Sequence, residues 1–183
     1  MKEQSENRRV RMTKRLMKDA LLNLLERTEL SRITVTAVCE AADVNRSTFY
    51  SYYTSPSELL RELEQEVLDR IPAPAAPQER QGEENLLRTT GAFFDYVREN
   101  ERVFRILFSE SLNAAFSARI VDLLCAQLIS GVEGTDEASV HFRRLYIAYG
   151  TVGMLREWID AGFPVSSRKI AEMMYCFSRK IAD

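Results

Sequence analysis

The stretch TVTAVCEAADVNRSTFYSYY, Thr34 to Tyr53, decides how this chain is read. Val35, Val38, Cys39 and Ala42 recur at steps of three and four, which sets them on one face of a short helix. Asp43 stands where that helix must stop, and Asp tolerates the left-handed backbone of a tight turn better than most residues that carry a Cβ. Val44 fills the corner. Asn45 can cap a second helix, beginning at Arg46, by accepting a backbone N–H with its side-chain oxygen. On that second helix Phe49 and Tyr53 face inward under the first. Ser47, Tyr50 and Ser51 face the other way, with Arg46 and Thr48 at the edges. Base edges and phosphates are met by hydrogen-bonding groups, so an inward aromatic stripe opposed to hydroxyls and an arginine suits a helix that enters a DNA groove. The pattern is a helix-turn-helix.

Upstream, Leu16, Met17, Ala20, Leu21, Leu24 and Leu25 keep helical spacing, which predicts a supporting helix from about Met12 to Arg27. The polar residues Met1 to Asn7 read as a disordered start. Between them lies a basic cluster, Arg8, Arg9, Arg11, Lys14 and Arg15, which ahead of a reading head suits a run along phosphates. Thr34 or Thr36 can offer a hydroxyl to a phosphate near the start of the next helix, and an N-cap is an equal reading. The charge is asymmetric. Residues 1–53 hold ten Lys or Arg against seven acids, while the remainder holds 15 against 20, within a net charge of −2. A basic head on an acidic body suits a protein that sets one end on DNA.

Downstream, Ser55-Pro56-Ser57-Glu58 is a helix start: a cap, a proline at the first helical position and an acid three residues after the cap. Leu59, Leu60, Leu63, Val67 and Leu68 carry that helix to about Ile71 as a connector. Pro72 to Pro77 and the polar run to Gly82 break regular structure. From Glu83 every segment reads as helix, including a Leu-rich one from Ala115 to Ile129 and a long one from Glu137 to Ala161. Gly131 to Asp136 is a loop between these two. Gly162 and Pro164 end the long helix, and a last one starts at Ser166 or Ser167. The expected fold is all-α with about nine helices: residues 1–54 form the helix-turn-helix domain, and residues 55–183 the connecting helix with a helical regulatory and dimerisation domain. The last two helices are apolar on more than one face, which predicts a partner helix pair, most simply a second copy. Trp158, Met173, Met174 and Phe177 are the candidate dimer residues.

The 183 residues are 45% apolar and 28% charged, the composition of an ordinary globular protein. Cys39, Cys125 and Cys176 are widely spaced among apolar neighbours, so free buried thiols are expected. No apolar run approaches the ~18 residues of a membrane span, and the N-terminus lacks the apolar core of a signal peptide. The expected compartment is the cytoplasm, with no membrane partner. There is no HExxH, GxSxG or P-loop pattern, and the single histidine, His141, reads as a surface or interface residue. An enzyme is not expected, nor a metal or cofactor.

The stretch ITVTAVCEAADVNRSTFYSYYTSPSELL, Ile33 to Leu60, closely resembles the helix-turn-helix and the start of the connecting helix of the tetracycline-repressor (TetR) family of transcription regulators. The segment from Tyr149 to Pro164 is similar to a subgroup that includes a regulator of dihydroxyacetone kinase genes. Four positions depart from the family pattern: Asp43 for a Gly, Cys39 for a small Ala, Tyr52 for a common His, and Pro56 for a Lys that contacts phosphate. The resemblance implies a homodimer whose recognition helices enter successive major grooves of a near-palindromic DNA operator, and a small-molecule effector acting through the C-terminal domain. It implies Tyr50 and Tyr52 as phosphate contacts, Arg46, Ser47, Thr48 and Ser51 as contacts to bases or backbone, and Thr34 and Thr36 as auxiliary donors. The loss of the Lys at Pro56 shifts weight onto Arg8, Arg9 and Arg11. Phe94, Phe104, Phe108, Tyr146, Tyr149 and Met154 are the candidate effector-binding residues. The alternative is a helical co-regulator of the same fold that works through protein contacts. Such an adaptor needs neither the basic arm nor the polar outer face of the second helix.

Overall fold

The computed structural model describes residues 2–72, 83–109, 112–128 and 136–182. Among the described residues there are nine α-helices and no strand: α1 (Lys2–Leu25), α2 (Val35–Ala42), α3 (Arg46–Tyr50), α4 (Pro56–Asp69), α5 (Glu83–Glu99), α6 (Glu101–Leu107), α7 (Asn113–Leu123), α8 (Glu137–Asp160) and α9 (Ser167–Ala182). The chain divides into two compact units, Met1–Asp69 and Arg70–Asp183. Most of the proline-rich stretch after Pro72, and the loop at Gly131 to Thr135, lie outside the described residues.

In the first unit α1 packs on α2 and on α4, and α2 packs on α3. Met17 and Leu21 of α1 are fully buried with Val38, Phe49 and Leu59. One expectation is corrected here, because α1 starts at Lys2 and not near Met12. Nothing from Lys2 to Arg11 breaks a helix: the run contains neither Gly nor Pro and is rich in Glu, Lys, Gln and Arg, which lose little freedom on becoming helical. The basic cluster therefore rides on the helix. At the start of α4 the predicted cap forms, with the Glu58 N–H donating to Ser55 Oγ at 3.2 Å. The Glu58 carboxylate reaches one residue further back than in a standard capping box, accepting from the Thr54 N–H and hydroxyl at 2.6 Å each. Those two bonds hold the Glu58 carboxyl below its ordinary range.

The second unit is built on aromatic rings. Phe104 lies 5.8 Å from Tyr96, 6.4 Å from Phe108 and 6.1 Å from Phe116 between ring centroids, and Phe94 meets Trp158 edge-on at 5.2 Å. α5 packs along α9, and α8 packs on α6, α7 and α9. The Leu-rich segment is α-helical only to Leu123 and continues as a π-helical turn, Leu124–Leu128. Gly162, at φ +74°, ends α8 as expected. Phe163 follows it into the left-handed region at φ +58°. A bulky residue rarely sits there unless its surroundings hold it. Phe163 stacks edge-on against Trp158 at 4.7 Å, the Arg105 guanidinium lies 5.8 Å above its ring, and its N–H donates to Trp158 O at 2.9 Å. Cys39 is buried as expected, but Cys125 is only half-buried and Cys176 is exposed, because neighbours apolar in sequence need not be neighbours in space.

Candidate nucleic-acid interface

The turn after α2 adopts the conformation that its sequence requires. Asp43 has φ 52° and ψ 49°, and the Val44 N–H donates to Cys39 O at 3.0 Å, which turns the chain into α3. Thr34 is an N-cap: its hydroxyl oxygen accepts from the Ala37 N–H at 3.1 Å, which leaves its O–H as a donor toward solvent. Asn45 occupies the capping position of α3 but its side chain makes no cap hydrogen bond, contrary to expectation. α3 has only five residues, and its start is held by the backbone bond from Phe49 N to Asn45 O at 3.0 Å.

The two faces of α3 separate cleanly. Phe49 and Tyr53 are buried, whereas Tyr50 is 52% exposed. Arg46, Ser47 and Ser51 are exposed beside Tyr50, Thr48 is half-buried, and Thr36 is exposed on α2. The Ser51 hydroxyl donates to Ser47 O at 2.9 Å, so its proton is committed within the helix and only its lone pairs face outward. Arg8, Arg9 and Arg11 are exposed on α1. Arg8, Arg11 and Arg15 stand three and seven residues apart and so form one stripe, with Arg9 to one side. Tyr52 is half-buried, and Lys14 Nζ lies 5.7 Å from its ring centroid and 5.2 Å from that of Tyr53.

A cluster that the sequence reading did not assign lies directly beneath this face. Glu62 of α4 accepts from Lys14 Nζ at 3.0 Å, from Lys18 Nζ at 2.7 Å and from Tyr53 Oη at 3.0 Å. Lys18 also reaches Glu66 at 2.7 Å. Burial works against the Glu62 charge, but the bonds from Lys18, Lys14 and Tyr53 outweigh it and hold the carboxyl below its ordinary value of 4.5. Burial first, then the bond to Glu62, pushes the Tyr53 hydroxyl far above its usual range, so it stays a donor. Burial likewise raises the Cys39 thiol, with Arg46 partly offsetting it, which suits a neutral apolar filler. The signal for the cluster was present in the chain: two lysines four residues apart on one helix and two glutamates four residues apart on another.

The candidates in the second unit are regrouped. Phe94, Phe104 and Phe108 are buried in the aromatic core, while Tyr146 and Tyr149 are 65% and 61% exposed on the outer face of α8, with Met154 half-buried. The six do not share one enclosure. Trp158 is corrected from the dimer face to the core: it is 3% exposed and its Nε1–H donates to Val165 O at 2.9 Å. Met173 and Met174 are half-buried and Phe177 is exposed. His141 is exposed next to Phe142.

Residues 84–180, just over half of the chain, match the family model described as the C-terminal region of transcriptional regulators of the TetR type. The chain belongs to the TetR family. Solved TetR-type structures share its fold over nearly its whole length. A TetR transcriptional regulator from Streptococcus agalactiae is 20% identical with a TM-score of 0.73, over 96% of this chain and 98% of that one. The dihydroxyacetone kinase operon activator DhaS is 19% identical with a TM-score of 0.63, over 92% and 94%. NalD of Pseudomonas aeruginosa, the secondary repressor of the MexAB-OprM multidrug efflux pump, is 14% identical with a TM-score of 0.64, over 93% and 96%. No curated protein matches the sequence. As a TetR-family chain it is a transcriptional regulator. Among the described residues no helix is long and apolar enough to cross a membrane.

Proposed function

We propose that this regulator is a repressor that binds a near-palindromic operator as a homodimer, with a small molecule acting on the C-terminal domain as its modulator. The observation that carries the DNA reading is the two-sided arrangement of α3 and the turn after it, with Phe49 and Tyr53 buried while Tyr50, Ser47 and Arg46 stand exposed. Tyr50 and Tyr52 take phosphates. Arg46, Ser47, Thr48 and Ser51 meet bases or backbone, Ser51 as an acceptor, and Thr34 and Thr36 add hydroxyls. Arg8, Arg9 and Arg11 supply the electrostatic term. Residues 1–54 are the reading domain by function, and residues 55–183 connect and regulate. By packing, α4 belongs with the first unit. Repression follows the role printed for NalD, and the role printed for DhaS, activation, is the competing outcome.

Phe142, Tyr146 and Tyr149 support the dimer. They stand four and seven residues apart on α8 and are all more than 60% exposed. Gly150 and Gly153 are exposed beside them, and a Cβ at either would meet nothing within 4 Å, so these glycines fill no need inside the chain. They flatten the face for a second helix. Phe177 of α9 is exposed as well.

The test for DNA is a duplex selected from random sequence. Tyr50→Ala weakens binding to that duplex with little change in thermal midpoint, and Arg8→Ala reduces the slope of log K against log salt by about one. Parent-like binding by both variants would refute the assigned face. For the dimer, a species of twice 21.0 kDa is expected at micromolar concentration, with Tyr149→Glu returning it to 21.0 kDa.

A further inference from the structure

Glu62 does more than its count of ion pairs suggests. Its carboxylate joins α1, α4 and the segment just after α3, with three donors from two other elements within 3.0 Å. Lys18, whose side chain is only 10% exposed, bridges Glu62 and Glu66 and is satisfied by both. Half-buried ion pairs of this kind add little net stability, because solvent screens the exposed partners and burial costs the others, so stability gives a weak account of why charges stand here. What they supply is geometry, because a hydrogen bond of 2.7–3.0 Å survives only small displacements of the helices that carry it.

From Glu62 two short paths lead to the DNA-reading face. Tyr53 donates to Glu62, and its ring packs on Phe49 at 5.7 Å, which in turn meets Tyr50 edge-on at 5.9 Å. Lys14 donates to Glu62, and its ammonium lies over the Tyr52 ring. Tyr50 and Tyr52 are the two residues proposed above for phosphates. The neighbouring acid on α4, Glu58, is committed to Thr54 and does not duplicate the arrangement.

We infer that Glu62 is the positioning residue of the DNA-reading face: through Tyr53 and Lys14 it sets Tyr50 and Tyr52 in register. The inference rests on the DNA reading above and deepens it. It makes a prediction opposite in sign to simple electrostatics. Removing a negative charge beside phosphates should tighten binding, whereas removing the positioning group should weaken it where register matters.

The experiment uses the full chain with Glu62→Gln, Tyr53→Phe and the double variant, at a temperature where circular dichroism shows each to be folded. Two duplexes of equal length are compared, one selected from random sequence by the parent and one unrelated. On the selected duplex each single variant weakens binding about tenfold, and the double variant weakens it no further than the worse single, because the two residues act as one unit. On the unrelated duplex Glu62→Gln binds as tightly as the parent or up to about twofold tighter, since Lys14 is released from its partner. A residue with only a structural role would change the melting temperature and leave both affinities of the folded protein alone. If Glu62→Gln binds the selected duplex as well as the parent does, or if the two single effects multiply, the inference is overturned while the DNA reading stands. If Glu62→Gln does not fold, Tyr53→Phe, which keeps the ring, decides the matter: parent-like binding overturns the inference. A parent that cannot distinguish the two duplexes overturns the DNA reading itself, and this inference with it.

Discussion

The two units are held together by different means. Around Glu62 the first fixes its helices with polar contacts between named partners on α1, α4 and Tyr53. The second relies on rings, with Phe104 touching Tyr96, Phe108 and Phe116 and with Phe94 against Trp158. Apolar contact is strong but undirected, and many arrangements of similar residues satisfy it. Directed contacts are weaker and admit few arrangements. A reading head needs the second property, because base and phosphate positions are fixed by the DNA. A regulatory body can use the first.

The two kinds of contact should differ in energy. Phe104→Ala removes a fully buried ring and should cost about 3–5 kcal/mol in urea unfolding. Lys18→Met keeps the apolar stem and removes the bridge. Glu62 retains Lys14 and Tyr53, and the Glu66 side chain is 45% exposed, so the loss should be about 1–2 kcal/mol. If Lys18→Met costs as much as Phe104→Ala, the head depends on its ions for stability and not chiefly for geometry.

Sequence legibility divides along the same line. Thr34 to Tyr53 could be read because each position there answers a local demand: Asp43 takes a left-handed turn, Thr34 caps, and Phe49 and Tyr53 point in while Tyr50 points out. Asn45 shows where local reading fails, since capping propensity did not produce a capping bond. In the second unit the existence of α8 and its end at Gly162 were legible, but the direction of its aromatics was not. α8 carries large apolar residues around most of its circumference, so periodicity could not tell that Trp158 is core and that Tyr146 and Tyr149 are outside. Glu62 escaped because its lysine partners lie 44 and 48 residues away: the paired lysines on α1 and the paired glutamates on α4 are visible, but no single-helix pattern shows that they face each other.

Acid separates the units further. The Glu62 carboxyl lies below its ordinary value of 4.5 in the folded chain. A depressed carboxyl contributes stability that is full above the unfolded value and is lost as pH falls through the folded one. Trp158 is the single tryptophan and belongs to the second unit, so its fluorescence reports on the body alone. Between about pH 5 and about pH 3 the thermal midpoint by circular dichroism, which sees both units, should fall more than the midpoint by Trp158 fluorescence. Glu62→Gln should narrow that difference. Equal shifts by both probes would show that the carboxylates of the body matter as much.

The finest distinction lies in the two left-handed turns. Asp43, at φ 52°, ends α2 in the head, and Gly162, at φ 74°, ends α8 in the body. Gly162→Ala adds a Cβ that meets nothing within 4 Å, so its whole cost is backbone strain, about 1 kcal/mol. Asp43→Gly removes strain of the same kind but adds the entropy that glycine loses on folding. Those terms nearly cancel, which leaves a gain of about 0.5 kcal/mol or less. The two substitutions should therefore move the urea midpoint in opposite directions, Gly162→Ala by the larger amount. A loss of stability in Asp43→Gly would mean that the Asp43 side chain contributes a stabilising contact at the turn, and the head would then owe its corner to a polar group as well as to backbone tolerance.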